Sequence, residues 1–317
     1  MSAGSSLPYR LRPNKAVDRE LFLSLLMRLA PMMRLERHHY VGLGGPFLED
    51  FRLIHARLGV DRMTCLEVEE EVHKRQQFNR PIESIECIHL SLEDYLDGHD
   101  FERPAVIWFD YTEPKPIIEQ VGRFARTIGE VPIDSVLRIT LNANPSSLGK
   151  PSENLSERAL WAWRLEKFRD RLGALFPSDV TADGMETRTY GDSILRAVYL
   201  AVEKEVLSHV DRQVVWALST HYADGQPMVT AALIVCKATE TSIERLVKGW
   251  GFYSPPDKPL RVDLPALSTL ERLTMESNAD ARAKLGFELP ESYLGEDPFE
   301  VFKRFYRIYP HFSRVEL

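Results

Sequence analysis

Strand-like apolar runs alternate with helical patterns along the first half of this chain. Short runs rich in β-branched and aromatic residues are separated by segments in which apolar residues recur every three or four positions. A strand that is followed by a helix and then by another strand joins parallel neighbours of one sheet. The predicted parallel strands are residues 39–43, 63–68, 85–90, 105–109 and 136–141. The alternation predicts an α/β protein whose mostly parallel sheet is covered by helices on both faces.

A different pattern follows. After two long helical patterns at 155–176 and 191–208, two β-rich runs at 214–220 and 229–237 flank an Asp-Gly turn, which predicts an antiparallel hairpin. The sheet then has seven strands. We divide the chain into an N-terminal arm and helix (1–38), the sheet domain (39–240) and an α-rich C-terminal extension (241–317) that packs on the core.

Charge is distributed unevenly over the 317 residues. The formal net charge is −7, which argues against a protein that coats nucleic acid. Residues 1–40 nevertheless hold seven basic against three acidic side chains. This basic front end is compatible with an anionic substrate.

The cysteines and the hydropathy pattern restrict the location of the protein. Cys65, Cys87 and Cys236 are far apart in strand-like runs and form neither a disulfide framework nor a metal-binding pair. No run approaches the ~18 to 20 apolar residues of a membrane span, and the N-terminus has no apolar signal segment. We therefore expect a protein of the reducing cytoplasm with no membrane partner.

A glycine-rich loop follows the first predicted strand. Residues 41–47 contain Gly42, Gly44 and Gly45, and a helical pattern begins directly after them. Glycine allows a sharp turn and close approach of a ligand, and a helix N-terminus favours negative charge. A dinucleotide fingerprint would need another glycine where this chain has Phe47. The loop alone is also compatible with an ordinary strand-to-helix turn.

Residues at the ends of three further strands indicate what kind of ligand the loop could bind. Glu67 ends the second strand, where a carboxylate can accept hydrogen bonds from both ribose hydroxyls of an adenosine-containing ligand, although a helix-start charge is the alternative. Ser91 and Leu92 follow the third strand, where an apolar side chain can pack on an adenine ring. Asp110 follows the apolar fourth strand and could orient a substrate or act as a base, or could merely cap the next helix.

Together these residues resemble a class I S-adenosylmethionine-dependent methyltransferase, a Rossmann-like seven-stranded sheet whose last hairpin is antiparallel. This resemblance covers roughly residues 39–240. Segments 11–19, 40–51, 75–81 and 108–111 are also similar to a bacterial family described as putative O-methyltransferases. The resemblance implies S-adenosyl-L-methionine as cofactor and methyl transfer to an oxygen or nitrogen acceptor.

The resemblance also implies a role for individual residues. Asp110 would orient the acceptor or act as its base, with Tyr111 and Glu113 as secondary catalytic candidates. Asn14 and Lys15 would reach the cofactor or substrate, the alternative being a solvated basic arm. The residues expected to bind the cofactor are Gly42, Gly44, Gly45, Glu67, Ser91, Leu92, Asp110, Asn14 and Lys15.

Two departures from known methyltransferase motifs restrict the chemistry. Residues 110–114 lack the proline pair typical of amino-directed nucleic-acid enzymes. Asn142 and Asn144 follow the fifth strand, where metal-dependent O-methyltransferases have an acidic ligand, so we predict no metal.

Two alternatives remain open for the function. The first is a tRNA or DNA methyltransferase, suggested by basic and aromatic residues interleaved over 303–314, although their helical spacing favours a docking helix. The second is a non-catalytic sensor or complex subunit that binds the cofactor or a related nucleotide. Exposed apolar positions in the extension are compatible with a homodimer.

Overall fold

A single sheet organises the computed structural model, which describes residues 12–277 and 280–310. Its strands are β1 (His39–Gly42), β2 (Arg62–Glu67), β3 (Ile85–His89), β4 (Ala105–Asp110), β5 (Val136–Asn142), β6 (Arg212–Asp224), β7 (Gln226–Lys237) and β8 (Leu260–Val262). The strand order across the sheet is β3-β2-β1-β4-β5-β7-β6-β8. The first five strands are parallel, and β7 runs antiparallel between β5 and β6.

The predicted α/β sheet with an antiparallel hairpin is confirmed, but the predicted number of seven strands is wrong. The eighth strand, β8, pairs with β6 in parallel and comes from the segment predicted as the C-terminal extension. A run of three residues is too short to show a period of two, so the sequence pattern does not predict this strand. The domain boundaries at 38 and 240 remain predictions.

Helices lie on both faces of the sheet. They are α1 (Pro13–Met33), α2 (Glu49–Leu58), α3 (Glu70–Asn79), α4 (Leu92–Asp97), α5 (Ile117–Glu130), α6 (Glu157–Leu172), α7 (Tyr190–Val206), α8 (Ser242–Lys248), α9 (Thr269–Ser277), α10 (Ala281–Leu285) and α11 (Pro298–Phe305). One apolar core joins α1, α2 and α8 to the sheet, and a second joins α4, α5 and α7 to its other face. In the described ranges, no helix combines the length and the apolar character needed to cross a bilayer.

The strand order determines where polar side chains can gather. Because β1 lies between β2 and β4, the connections leaving β1 and β4 turn to opposite sides, and a crevice opens at their carboxyl ends. Gly42 ends β1 and Asp110 ends β4, so the glycine loop and this carboxylate meet at the same edge of the sheet.

Helix α11 illustrates how the basic and aromatic residues of the C-terminal segment are used. Phe302 and Phe305 are buried, while Lys303 pairs with Glu300 and Arg304 pairs with Glu296. The aromatic side of the helix therefore packs inward, and these two basic side chains are partly neutralised by acidic neighbours. The more distal basic and aromatic positions, 311–314, lie outside the described residues.

An ion pair lies inside the interface between α1 and the sheet. The Arg138 guanidinium on β5 donates to Asp18 on α1 at 2.5 Å, and both side chains are fully buried. The other Asp18 oxygen accepts a hydrogen bond from the Thr220 hydroxyl at 2.6 Å. The guanidinium also lies 4.5 Å from the ring centroid of Phe22 and 4.3 Å from that of Trp108. The docking of α1 therefore depends on buried charge as well as on apolar packing.

We predict that Arg138→Met destabilises the fold by about 3 to 5 kcal/mol, because Asp18 is left as an uncompensated buried charge. The double variant Asp18→Leu with Arg138→Met removes both charges, and its loss of stability should be clearly smaller. Urea unfolding with linear extrapolation measures both free energies. An equal loss in the single and double variants would contradict the assignment of this pair.

Candidate functional site

The glycine loop after β1 is tightly packed against the strand beside it. A Cβ atom on Gly44 would lie 2.8 Å from Cys65 Sγ and 2.8 Å from the Phe51 ring, so no side chain fits at this position. Gly45 has a φ angle of 52°, in the left-handed region that favours glycine. The loop is thus a cradle whose shape depends on these two glycines.

Glu67 lies at the carboxyl end of β2, one strand away from the glycine loop. Its Oε1 atom accepts hydrogen bonds from the backbone N–H groups of Val68 at 2.9 Å and Glu69 at 3.0 Å. These bonds fix the carboxylate at the sheet edge. Its binding of ribose hydroxyls remains a prediction.

Ser91 and Leu92 have structural contacts at the end of β3. The Ser91 hydroxyl caps α4 by accepting the Asp94 N–H at 3.0 Å, and it also donates to the Asp94 carboxylate at 2.6 Å. Leu92 is buried in the second apolar core. The structure therefore shows how both side chains hold α4, and their proximity to an adenine ring remains a prediction.

Asp110 lies beside Lys15 at the carboxyl end of β4. Lys15 Nζ is 3.6 Å from Asp110 Oδ2, and both side chains are largely buried. In the described part of the chain, Asp110 Oδ1 is buried without a hydrogen-bond partner. A carboxylate oxygen in this state can accept a hydrogen bond from a ligand.

The two secondary catalytic candidates lie in different surroundings. Tyr111 is buried on the other face of the sheet, where its hydroxyl donates to Glu93 Oε1 at 2.7 Å. Glu113 is exposed, and its Oε1 accepts the Lys115 N–H at 3.3 Å. The structure brings Asp110 together with Lys15, but it does not bring Tyr111 to that pair.

Asn14 anchors the first turn of α1 and thereby places Lys15. The Asn14 side chain donates to the Ala223 carbonyl at 2.7 Å and accepts the Leu264 N–H at 2.8 Å. The Asp224 carboxylate accepts the N–H groups of Asn14 at 3.3 Å and Lys15 at 2.7 Å. Asp224 therefore caps a helix that is distant in sequence, in the way an N-cap side chain satisfies the free N–H groups of a first turn.

Further charged residues surround the Lys15–Asp110 pair. Arg19 on α1 pairs with Asp50 on α2 at 2.7 Å, and both are buried. We call the following set the buried charge cluster: Lys15, Asp18, Arg19, Asp50, Asp110 and Arg138. Three cations balance three carboxylates, so the cluster is formally neutral.

Sequence reasoning missed four members of the buried charge cluster. Asp18 and Arg19 lie in the segment 11–19, whose similarity to the family gives neither residue a role, and Asp50 has the pattern of an ordinary acidic residue in a first helical turn. Arg138 interrupts an apolar strand pattern, and that interruption was the one local signal of a buried charge.

Burial and charge shift the pKa values of this cluster in different directions. Burial lowers the pKa of Lys15, although the Asp110 carboxylate opposes this. Burial likewise raises the pKa of Asp50 against the effect of Arg19. For Asp110, burial alone would raise the pKa, but the positive charges of Lys15, Arg19 and Arg138 outweigh it, so the pKa lies below its usual range.

The two asparagines at the carboxyl end of β5, Asn142 in the strand and Asn144 just after it, connect neighbouring loops. The Asn142 side chain donates to the Thr112 carbonyl at 3.3 Å, and the Asn144 side chain donates to Gln226 Oε1 at 2.9 Å. Across residues 12–277 and 280–310, no three His, Cys, Asp or Glu side chains form a group that could hold a metal ion.

Comparison with known proteins identifies the family. Residues 7–317 match the model of a family described as "Putative O-methyltransferase". The chain belongs to this family. The resemblance to S-adenosylmethionine-dependent methyltransferases, based on the glycine loop, Glu67 and Asp110, is thereby confirmed at the level of the family. No curated protein matches the sequence.

Several solved structures are similar in topology and distant in sequence. Trm1 from Pyrococcus horikoshii, in complex with S-adenosyl-L-methionine, is 11% identical, with a TM-score of 0.48 over 74% of this chain and 57% of that chain. This chain thus spans little more than half the length of that protein. The N-methyltransferase NodS from Bradyrhizobium japonicum WM9 is 9% identical, with a TM-score of 0.37 over 69% of this chain and 97% of that chain. Likeness at this level assigns no substrate.

We predict a pH-dependent effect of Lys15→Met on stability. Because the folded-state pKa of Asp110 is depressed, its ionisation stabilises the fold above its unfolded pKa, and this contribution is lost as the pH falls through the folded pKa. Without Lys15 the ionised carboxylate loses the positive charge that most lowers its pKa, so the variant should be less stable by roughly 1 to 3 kcal/mol near neutral pH, and this deficit should shrink as the pH falls below the ordinary carboxyl pKa of about 4.

Urea unfolding at several pH values measures this difference. Lys74→Met is the control, because Lys74 pairs with Glu70 and Glu71 at the exposed surface, where an ion pair contributes little. If the deficit of Lys15→Met stays constant with pH, Lys15 does not control the ionisation of Asp110.

Proposed function

We propose that this protein transfers a methyl group from S-adenosyl-L-methionine to an oxygen or nitrogen atom of a small acceptor, without a metal. The observation that carries the proposal is the state of Asp110: its Oδ2 atom lies beside Lys15, while its buried Oδ1 atom has no hydrogen-bond partner within the described residues. This carboxylate lies at the end of β4, in the crevice where open α/β sheets bind ligands. Family membership supports methyl transfer as the reaction.

The residues at the sheet edge fit the proposed cofactor. Cys65 and Phe51 occupy the space that a side chain at Gly44 would need, so the loop backbone is held close to the sheet at the edge of the crevice. The Glu67 carboxylate is fixed at the adjacent strand end and offers an acceptor to the ribose hydroxyls. When bound, the cofactor would supply a methyl group on a positively charged sulfur, which is reactive without protein activation.

The protein then has to align and desolvate the acceptor. Asp110 Oδ1 is placed to accept the hydrogen bond of an acceptor O–H or N–H group. A carboxylate whose pKa lies below its usual range is a weak base near neutral pH, so Asp110 acts by orienting the acceptor more than by removing its proton. This favours an acceptor that loses its proton readily, such as a phenol or another acidic hydroxyl.

The first experiment tests the cofactor. S-Adenosylhomocysteine should raise the melting temperature of the wild type, since a ligand at 100 times its Kd stabilises the native state by about 2.7 kcal/mol. Glu67→Gln should weaken binding about tenfold or more, because it loses the charge that attracts the ribose hydroxyls. Glu71→Gln, an exposed change in the following helix, is the matched control and should leave binding unchanged. If the wild type shows no thermal shift, the cofactor assignment is wrong.

The second experiment tests methyl transfer. Purified protein, radiolabelled S-adenosylmethionine and a fractionated cell extract should give label in a small-molecule fraction. Asp110→Asn should reduce the label by about 10- to 100-fold, the range expected when the acceptor loses a hydrogen bond to a charged group that orients it. Glu119→Gln, an exposed residue of α5, should have no effect.

The same experiment separates the alternative functions. Label in RNA or DNA, together with binding that weakens steeply as the salt concentration rises, would support a nucleic-acid methyltransferase instead. Tight binding of the cofactor with no label in any fraction would support a sensor or complex subunit.

A further inference from the structure

The last turns of helix α3 contact the glycine loop through residues of the segment 75–81, to which the sequence assigns no role. We call residues 44–48 the cofactor loop. The Gln76 side chain donates from Nε2 to the Gly45 carbonyl at 3.2 Å, and the Asn79 side chain donates from Nδ2 to the Pro46 carbonyl at 2.7 Å. The Arg75 guanidinium lies 5.4 Å from the centroid of the Phe47 ring.

The cofactor loop has a conformation that its own sequence does not favour. Gly45 and Leu48 have φ angles of 52° and 48°, and at Leu48 this left-handed conformation carries a bulky, fully buried side chain. L-residues other than glycine rarely adopt this conformation, and such strain persists only where surrounding contacts hold it. The contacts from α3 are therefore available to hold a loop that would otherwise relax.

The two hydrogen bonds act on adjacent peptide groups. A peptide group is planar, so fixing its carbonyl also fixes the direction of the N–H group of the next residue. The hydrogen bond to the Pro46 carbonyl therefore determines the direction of the Phe47 N–H group. The hydrogen bond to the Gly45 carbonyl orients the Gly45–Pro46 peptide group, which has no N–H of its own. Both side chains thus set the backbone direction of the loop that the cofactor approaches.

Burial distinguishes Gln76 from its neighbours on α3. Gln76 is fully buried, whereas Gln77 and Phe78 are exposed, and Phe78 is 90% exposed. Gln76 Oε1 has no hydrogen-bond partner in the part of the chain that the structure describes. An apolar side chain of the same length would satisfy the core at least as well, so packing alone does not explain a glutamine here.

We propose that Gln76 and Asn79 are positioning residues that hold the cofactor loop in its binding conformation. The proposal rests on the proposed function, because it takes the loop to be a cofactor site. Helix α3 also begins three residues after Glu67, so the same helix links the carboxylate proposed to bind the ribose with the cofactor loop, which follows the neighbouring strand β1. Gln76 and Asn79 act through the loop and need not touch the cofactor themselves.

The test is calorimetric titration of the full chain with S-adenosylhomocysteine. Asn79→Asp keeps the size of the side chain and removes its N–H donor, and it should weaken binding about tenfold or more, as expected for loss of one hydrogen bond to a strained loop. Gln76→Met also removes the donor and should weaken binding to a similar extent. Asn79→Gln retains the donor and should recover part of the affinity, whereas Gln77→Met on the exposed side of α3 should bind like the wild type.

The outcomes separate this proposal from the one it rests on. If the wild type does not bind S-adenosylhomocysteine, the proposed function fails. If the wild type binds and both Asn79→Asp and Gln76→Met bind equally well, the positioning role is wrong. A merely structural role would lower the melting temperature of the free protein without changing the affinity of the folded fraction, and that result also contradicts the proposal. Gln76→Met decides alone if Asn79→Asp does not fold.

Discussion

The docking of α1 onto the sheet is the constraint on which the site depends. Asp18 on α1 forms an ion pair with Arg138 on β5, and both side chains are completely buried. Asp224 fixes the first turn of the same helix by accepting its free N–H groups. These two sets of contacts fix the first turns of α1, and Lys15 is thereby placed beside Asp110 at the carboxyl end of β4.

A buried ion pair of this kind is a poor device for stability alone. Removing charges from water costs several kcal/mol per ion, and apolar residues of similar volume often replace a buried pair without loss. In this protein the pair belongs to a neutral cluster that also contains Arg19 and Asp50, and the cations of that cluster lower the pKa of Asp110. We interpret the positive charges of the cluster as the reason that the buried Asp110 carboxylate stays ionised.

The cofactor loop is held by contacts from helix α3. Leu48 of the cofactor loop has a left-handed conformation that is disfavoured for a leucine, and the same loop receives hydrogen bonds from Gln76 and Asn79 on α3. Helix α1 thus supplies charge beside β4, and α3 supplies backbone alignment beside β1. The two halves of the proposed site are held by two helices that each contact a different strand end.

The sequence by itself determined the framework of the site. Alternating strand and helix patterns predicted the parallel sheet, the Asp-Gly turn predicted the hairpin, and the strand ends identified Gly44, Glu67 and Asp110 as residues of one sheet edge. These features are local, because they depend on periodicity within a strand or helix and on the conformational freedom of glycine.

Only the tertiary structure decided which side chains meet. Asp18 and Arg138 are 120 residues apart, and Asp224 caps a turn 209 residues away, so no local pattern links them. The structure also shows that the Tyr111 hydroxyl is engaged by Glu93 on the opposite face, which the identity of the residue does not reveal. Local sequence determines periodicity and backbone freedom, whereas pairing of buried charges depends on chain segments that become neighbours only when the sheet has formed.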